Sequence, residues 1–317
     1  MTNQNSDINL DLLRDSPDYD LPQLYHTLIP NDNDYDNIPF TGVNLDCKYY
    51  APDQFNELSK EMRKTSSYFH LNCQGLQSHW DNFHNLLCEL HSTKFSFDFI
   101  GISEIFHVPN TDKLSLPGYH PLKVKTRNVV NGYRGGVGLY VNQNINFHER
   151  TDLTVFIPHI IESFFIEIEN EHSKNEIVGV IYRPNTAPKA DIDIFMENVN
   201  TLMNLINSEQ KPCVIMGDVN INLLKFSNHQ KTNEYLENTF QSGFIPTITK
   251  PTRVTTSSAT LIDHIYTNDL KNKFTNGIIL TDVADHFGIF HIKHMHSHNA
   301  SGQKLKQIRI INEQNKI

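Results

Sequence analysis

Polar side chains with catalytic potential stand at or beside the ends of short apolar stretches across the middle of the sequence. They offer carboxylates, carboxamides, a phenol and an imidazole, without any closely spaced cysteine pair. Strand ends of a rigid sheet are places where side chains from distant parts of a chain converge on one site. The residues concerned are Asn72, Glu104, Tyr182, Asp218, Asn220, Asp263, Asp285 and His286.

Such a donor set is hard and rich in oxygen, which suits Mg²⁺ or Mn²⁺ better than Zn²⁺. A bound ion of this kind neutralises the charge that develops on a phosphodiester and orients the attacking water. An Asp–His pair holds an imidazole in one tautomer against a phosphate. The set therefore predicts hydrolysis of a phosphate ester with Mg²⁺ (or Mn²⁺) as cofactor.

Each motif also has an ordinary structural explanation. GDVN (217–220) could be a plain turn after a strand, DH (285–286) a loop pair, and YRP (182–184) a strand ended by proline. Glu104 could be a surface acid, and Asn72 a turn residue. The ordered set in one chain, always at strand ends, favours a functional site.

The elements that must position these residues follow from hydrophobic periodicity. Alternating strand and helix signals, with hairpin-like neighbours, predict an α/β domain of mixed sheets. Strands are predicted at 68–73, 97–103, 163–168, 177–182, 213–216, 260–267, 277–280 and 287–292, a glycine-containing bend or hairpin at 133–147, and helices at 80–90, 191–206 and 232–241.

Charge is distributed unevenly along the chain. Residues 1–64 hold 12 Asp and Glu against 5 Lys and Arg, or −7 of the net −9, so the rest of the chain carries −2. We expect residues 1–65 to form an acidic, largely disordered leader with at most a short docking helix near 52–64. The folded domain is expected at 66–294, followed by a polar tail at 295–317. The small charge of the domain neither supports nor excludes nucleic acid.

Two cysteines, Cys73 and Cys213, lie in apolar runs, which predicts buried thiols in a reducing compartment. No apolar stretch resembles a signal peptide or approaches the roughly 20 residues that span a bilayer. We therefore expect an intracellular protein, nuclear or cytoplasmic, with no membrane partner.

The motifs LNCQGL (71–76), SE (103–104), YRPN (182–185), MGDVNIN (216–222), SATLIDHI (258–265) and ADH (284–286) resemble the endonuclease/exonuclease/phosphatase superfamily. Within it, TKPTRVTTSSATLIDHIYTN (249–268) most resembles the endonuclease domain of non-LTR (LINE-type) retrotransposons. The resemblance spans roughly residues 66–294. It implies a four-layer α/β/β/α sandwich with two mixed, mainly antiparallel sheets. It also implies a metal-dependent endonuclease that nicks DNA at a target site.

The resemblance also assigns metal ligands. Glu104 would bind the ion, with Asn72 in its shell, and Asp285 would complete the acidic end of the site. Gln74 departs from the pattern, because many repair-type members carry an acidic residue there. Either the affinity for the ion would then be lower, or its binding would rely on Glu104.

Roles in catalysis follow from the same resemblance. Asp218 would orient or deprotonate the water, and Asn220 and Tyr182 would contact the phosphate. His286, held by Asp263, would stabilise the transition state.

Substrate contacts are assigned to Arg183, Ser258 and Thr260, with DNA as the partner. Full LINE-type proteins continue into a reverse transcriptase with an aromatic-x-Asp-Asp signature. This sequence has no Asp-Asp dipeptide. We therefore expect that domain to be absent from this chain.

Two alternatives remain at this stage. A phosphatase or phosphodiesterase can use the same fold and core residues, although no insertion for a substrate pocket or membrane-facing loop is visible. A non-catalytic mobile-element remnant is the other alternative, against which the complete polar set argues.

Overall fold

The computed structural model describes residues 45–294 except 63, 92–94, 107, 109, 127–134, 171–173 and 186–190. The α-helices within these residues are α1 (Pro52–Lys60), α2 (Trp80–Leu90), α3 (Asp191–Ser208) and α4 (Gln230–Gln241). The strands are β1 (Cys47–Tyr50), β2 (Lys64–Asn72), β3 (Phe99–Ser103), β4 (Lys123–Lys125), β5 (Val137–Val141), β6 (Phe147–Glu149), β7 (Phe156–Ile157), β8 (Ile161–Ile168), β9 (Glu176–Tyr182), β10 (Cys213–Asp218), β11 (Ile245–Pro246), β12 (Arg253–Val254), β13 (Ala259–Thr260), β14 (Asp263–Thr267), β15 (Phe274–Ile279) and β16 (Gly288–His294).

Two large mixed sheets form the framework. The first has the order β1-β15-β16-β2-β3-β5-β4, and the second β11-β14-β10-β9-β8-β6, with β7 also paired to β8. Among the described pairs, β1–β15, β2–β3 and β9–β10 are parallel, and the others are antiparallel. The prediction of two mixed, mainly antiparallel sheets is confirmed.

The sheets pack face to face, with β2 and β3 against β9 and β10. Because side chains alternate across a strand, Phe69 and Leu71 of β2 pack with α1 and α2, while Tyr68 packs between the sheets. Helices α3 and α4 pack against the second sheet through residues such as Phe195 and Tyr235. The result is the expected α/β/β/α sandwich.

Strand directions bring the polar residues to one end of this sandwich, which we call the site end. Parallel strands β2 and β3 end there at Asn72 and Ser103. In the second sheet β10 ends at Asp218, and its antiparallel neighbour β14 begins at Asp263, directly opposite. A single edge therefore gathers residues that are far apart in sequence.

Folded residues precede the predicted boundary at residue 66. Residues 45–62 contain β1, which pairs with β15, and α1, whose Phe55 is fully buried. The Phe55 ring stacks on Phe97 and meets the Phe290 ring edge-on. A few apolar residues in an acidic segment thus complete the edge and outer layer of the first sheet. Residues 1–44 and the predicted tail 295–317 lie outside the described residues.

Three cysteines, including Cys73 and Cys213, are buried free thiols, as expected, and Cys88 is exposed. No helix among the described residues has the length and apolar character that crossing a membrane requires.

Candidate active site

A buried Asp–His pair lies at the centre of the site end. Asp263 is the first residue of β14, and His286 directly precedes the segment that leads into β16. Nδ1 of His286 lies 2.8 Å from Oδ2 of Asp263. The Thr252 hydroxyl donates to the same oxygen at 2.7 Å and accepts from the Asp263 amide at 3.1 Å. The carboxylate, and through it the imidazole ring, is therefore fixed in orientation.

Asp218 completes a compact group with this pair. Ligand-type atoms of Asp218, Asp263 and His286 all lie within 4.8 Å of one another. Burial and the charge of Asp263 raise the pKa of Asp218 to about 7. A carboxylate of this basicity is suited to take a proton from water near neutral pH.

The pKa of His286 is raised as well. Burial by itself would lower it, but the hydrogen-bonded Asp263 carboxylate opposes burial and raises the pKa to about 9. The same contact lowers the pKa of Asp263 against the effect of its own burial. His286 is thus an imidazolium at neutral pH, and both of its ring nitrogens are donors.

Asn72 connects this group to Glu104. Its amide nitrogen donates to Oε1 of Glu104 and to Oδ2 of Asp218, each at 2.9 Å, while its oxygen accepts from the Gln74 amide. Asn72 therefore faces Glu104 with its nitrogen. It orients that carboxylate, whereas the sequence predicted a ligand in the metal shell.

The oxygen donors of Glu104 and Asp218 fit a hard divalent cation. Glu104 and Asp218 approach the same amide nitrogen from two sheets, and Glu104 is partly exposed. The buried Oδ1 of Asp263 has no hydrogen-bond partner among the described residues. Oxygen donors of this type suit Mg²⁺ or Mn²⁺, and Glu104, with Asp218 as the neighbouring carboxylate, would hold the ion.

Glu104 has an uncommon backbone conformation, with φ of +53°. Its carbonyl accepts from the Gly75 amide, and the following Ile105 amide donates to Gly136. Non-glycine residues in this region persist where the surrounding structure holds them, often at functional sites.

Asp285 lies differently from the prediction. Its Oδ2 accepts from Nε and Nη2 of Arg253 at 2.8 and 2.6 Å, and its Oδ1 accepts from Gln74. Oδ1 also lies 3.6 Å from Nε2 of His286. Because side chains occupy both oxygens, Asp285 is a rim residue beside the imidazole, and its assignment as a metal ligand is not supported.

Asn220 and Tyr182 both adjoin Asp218 at the site end. The Asn220 amide donates to Oδ1 of Asp218 at 2.8 Å, with Asn220 in the left-handed region (φ +50°) that asparagine tolerates. Tyr182 is the register partner of Asp218 on β9. Burial, together with the charges of Glu104 and Asp218, raises the pKa of Tyr182, so the phenol keeps its proton and remains a donor.

Arg183 contacts the protein backbone beside the site. Its guanidinium donates to the carbonyls of Val219 and Asn220 and lies over the Phe195 ring. The backbone that follows β10 therefore binds the guanidinium that the sequence assigned to a substrate contact.

Ser258 and Thr260 belong to a small hairpin, residues 253–260, formed by β12 and β13. Ser258 is exposed at its tip and pairs with the Thr255 hydroxyl at 2.9 Å, whereas Thr260 points back to the Arg253 carbonyl. Arg253 also forms a backbone bridge with His286. The base of the hairpin thus adjoins the site, and its tip offers hydroxyls to the exterior.

Sequence reasoning missed four residues around the site. Thr252 and Arg253 lie inside the quoted 249–268 motif and carry the contacts described above. Glu162 is fully buried on β8, where it is the register partner of Tyr182. Its carboxylate accepts a hydrogen bond from the Gly136 amide. His70 ties β2 to β3 through a 2.9 Å hydrogen bond with Ser103. The alternation that places Tyr68 and Asn72 inside could have pointed to His70.

Comparison with known proteins gives one family. The family model described as Endonuclease/Exonuclease/phosphatase family matches residues 69–286. No curated protein matches the sequence.

Several solved structures share the fold. The human Nocturnin catalytic domain with bound sulfate has a TM-score of 0.54 at 12% identity, over 73% of this chain and 93% of that chain. The mannosyl-6-phosphatase Bt3783 of Bacteroides thetaiotaomicron has a TM-score of 0.54 at 12% identity, over 73% of this chain and 100% of that chain. The Xenopus laevis APE2 catalytic domain has a TM-score of 0.52 at 17% identity, over 72% of this chain and 91% of that chain. At such identities the likeness concerns the fold alone.

Proposed function

This chain belongs to the endonuclease/exonuclease/phosphatase family, whose members are metal-dependent hydrolases of phosphate esters and phosphodiesters, and we propose that it is an endonuclease that nicks DNA. The observation that carries the proposal is the buried group of Asp218, Asp263 and His286, joined through Asn72 to Glu104. It combines a base, an imidazolium and a hard-oxygen metal position within one cluster.

Each residue has a part in phosphodiester hydrolysis. When bound at Glu104, Mg²⁺ or Mn²⁺ would supply positive charge for the phosphate oxygens. Asp218 accepts a proton from the attacking water, as its raised pKa allows. His286 donates through Nε2 to a phosphate oxygen as negative charge develops there, while Asp263 holds the ring. Tyr182 and Asn220 position the phosphate.

The 253–260 hairpin favours an extended substrate such as DNA over a small phosphate ester. Its base contacts Asp285 and His286, and its exposed tip carries the hydroxyls of residues 255–258. Hydroxyl groups beside a reacting phosphate are common contacts to the nucleic acid backbone. Ser258 is the residue we expect to contact DNA.

The finer assignment is target-site nicking of the type carried out by non-LTR retrotransposon endonucleases. Its support is the sequence resemblance of residues 249–268, together with the position of that segment, which supplies Thr252, Arg253 and Asp263 to the site. A reverse transcriptase acting in the same process would be a separate partner or domain.

A plasmid assay tests the proposal. Supercoiled plasmid incubated with the protein and Mg²⁺ should be converted to nicked circles, and EDTA or Asp218→Asn should prevent the conversion. Sugar phosphates and p-nitrophenyl phosphate, assayed in parallel, should be poor substrates. Rapid hydrolysis of these monoesters without plasmid nicking would identify a phosphatase instead, and inactivity on both would favour a non-catalytic remnant.

A further inference from the structure

The turn after β10, residues 218–220, carries two residues of the proposed chemistry in a conformation that needs support. Asp218 ends the strand, and Asn220 has φ of +50°. Gly217 permits the close approach of β9, because a Cβ there would lie 1.7 Å from the Ile181 carbonyl oxygen. The turn therefore packs closely against the end of β9, and Arg183 is the residue that directly follows β9.

Arg183 and this turn exchange four hydrogen bonds. The Arg183 amide donates to the Asp218 carbonyl at 2.9 Å. Its Nε and Nη2 donate to the carbonyls of Val219 and Asn220, each at 2.7 Å. In return, the Asn220 side-chain nitrogen donates to the Arg183 carbonyl at 2.8 Å. Every residue of the turn is therefore bound by Arg183.

The guanidinium itself is held in place. Its central carbon lies 5.7 Å from the centre of the Phe195 ring, on α3. Two adjacent carbonyls are bound by two nitrogens of one planar group, a fork that an ammonium group cannot reproduce. Arg183 thus joins the turn to the helix layer that covers the second sheet.

We propose that Arg183 is a positioning residue that fixes Asp218 and Asn220 for catalysis and makes no contact with DNA itself. This inference rests on the proposed function of the same site. A displacement of about 1 Å in a catalytic group can cost on the order of 10²-fold in rate. Loss of the fork should therefore lower the rate of the chemical step while DNA binding stays the same.

Arg183→Lys and Arg183→Ala test this by separating rate from binding. With protein in excess over plasmid and saturating Mg²⁺, we expect the single-turnover nicking rate to fall roughly 10- to 100-fold in both variants. The KM for DNA and the Mg²⁺ requirement should stay close to those of the wild type. A raised KM with an unchanged rate constant, and retention of function by the Lys variant, would instead make Arg183 a DNA contact and overturn the proposal.

Arg150→Lys is the matched control. Arg150 is equally well bound, by Asp152, Glu167 and Glu209, but it lies away from the site end. Its substitution should lower the melting temperature without changing the nicking rate. An equal rate loss in this variant would show that the Arg183 effect is a general loss of stability.

A measurement without catalysis separates this inference from the proposed function. The Asn220 amide donates to Asp218 Oδ1, so its hydrogen exchange reports on the order of the turn. Exchange should accelerate in both Arg183 variants, and it should be unchanged in Arg150→Lys. If wild-type protein nicks no DNA but exchange behaves in this way, the proposed function fails and the positioning role holds. Unchanged exchange in Arg183→Ala overturns the positioning role.

Discussion

Nδ1 of His286 lies 2.8 Å from Oδ2 of Asp263, and both side chains are almost wholly buried. The Thr252 hydroxyl donates to the same Asp263 oxygen, and Asp218 stands opposite Asp263 in the β10–β14 register. One pair of hydrogen-bonded strands therefore supplies both the proposed base and the support for the imidazolium.

The rate of nicking should depend on pH in a bell shape. Asp218 must lose its proton to act as base, so the rate should rise as pH passes about 7. His286 must keep its proton, so the rate should fall as pH passes about 9. Raising the Mg²⁺ concentration should move the lower limb to lower pH, because a nearby cation stabilises the carboxylate. Single-turnover rates between pH 5.5 and 10 check this.

The stability of the folded protein should depend on the protonation of His286 in the alkaline range. The folded-state pKa of His286 lies above the unfolded value, so its contribution is fully present below about 6.5 and is lost as pH rises through about 9. His286→Gln should remove both the alkaline limb of the rate profile and this loss of stability. A variant that retains the alkaline limb would show that another group titrates.

Glu104 and Asp285 should differ in their effect on the metal. Glu104→Gln keeps the shape but removes the charge, so the Mg²⁺ concentration for half-maximal nicking should rise at least about tenfold. Asp285→Asn should leave that concentration nearly unchanged, because Arg253 and Gln74 engage its oxygens. Mn²⁺ binding followed by electron paramagnetic resonance gives a second readout. The reverse order of the two variants would restore Asp285 as the principal ligand.

The domain boundary can be tested by truncation. Protein starting at residue 45 should melt cooperatively near the temperature of the full chain, because β1 and α1 are retained. Protein starting at Thr65 loses both elements and exposes the surface around Phe97 and Phe290, so it should melt much lower or aggregate.

A point substitution tests whether the packing of the Phe55 ring stabilises the domain. Phe55→Ala should destabilise the protein by about 3–5 kcal/mol, the usual cost of removing a buried aromatic ring. Glu57→Ala on the same helix, an exposed position, should change stability by less than about 0.5 kcal/mol. Equal unfolding midpoints for the two variants in urea would contradict the packing described for α1.

Much of the framework could be predicted from sequence because its signals are local. The spacing of Trp80, Phe83 and Leu90 gives α2 its bounds, and apolar stretches ending in polar residues located Asn72 and Asp218. Strand β1 was missed, and α1 was expected only as a short docking helix in a disordered leader, because acidic neighbours dilute a handful of apolar residues that find their partners only in β15 and β16.

Side-chain partners across the fold were not predictable in the same way. Arg183 and Asp285 were assigned by motif, yet their contacts are set by Val219 and Arg253, each more than 30 residues away. A charged residue beside a catalytic motif can equally bind backbone, a neighbouring ion or a substrate. Only the tertiary arrangement decides between these.

The energetic coupling between His286 and Asp263 is the most direct measurement of the proposed catalytic mechanism. Single-turnover nicking is compared for the wild type, His286→Ala, Asp263→Asn and the double variant, at saturating Mg²⁺ and well below each melting temperature. His286→Ala should lose roughly 10²–10⁴ in rate, Asp263→Asn somewhat less, and the double variant hardly more than His286→Ala, because the two residues act as one unit. DNA affinity should stay near the wild-type value in all of them. Strictly additive losses, or earlier melting with normal rates, would contradict the assignment and leave the pair a structural tie between two strands.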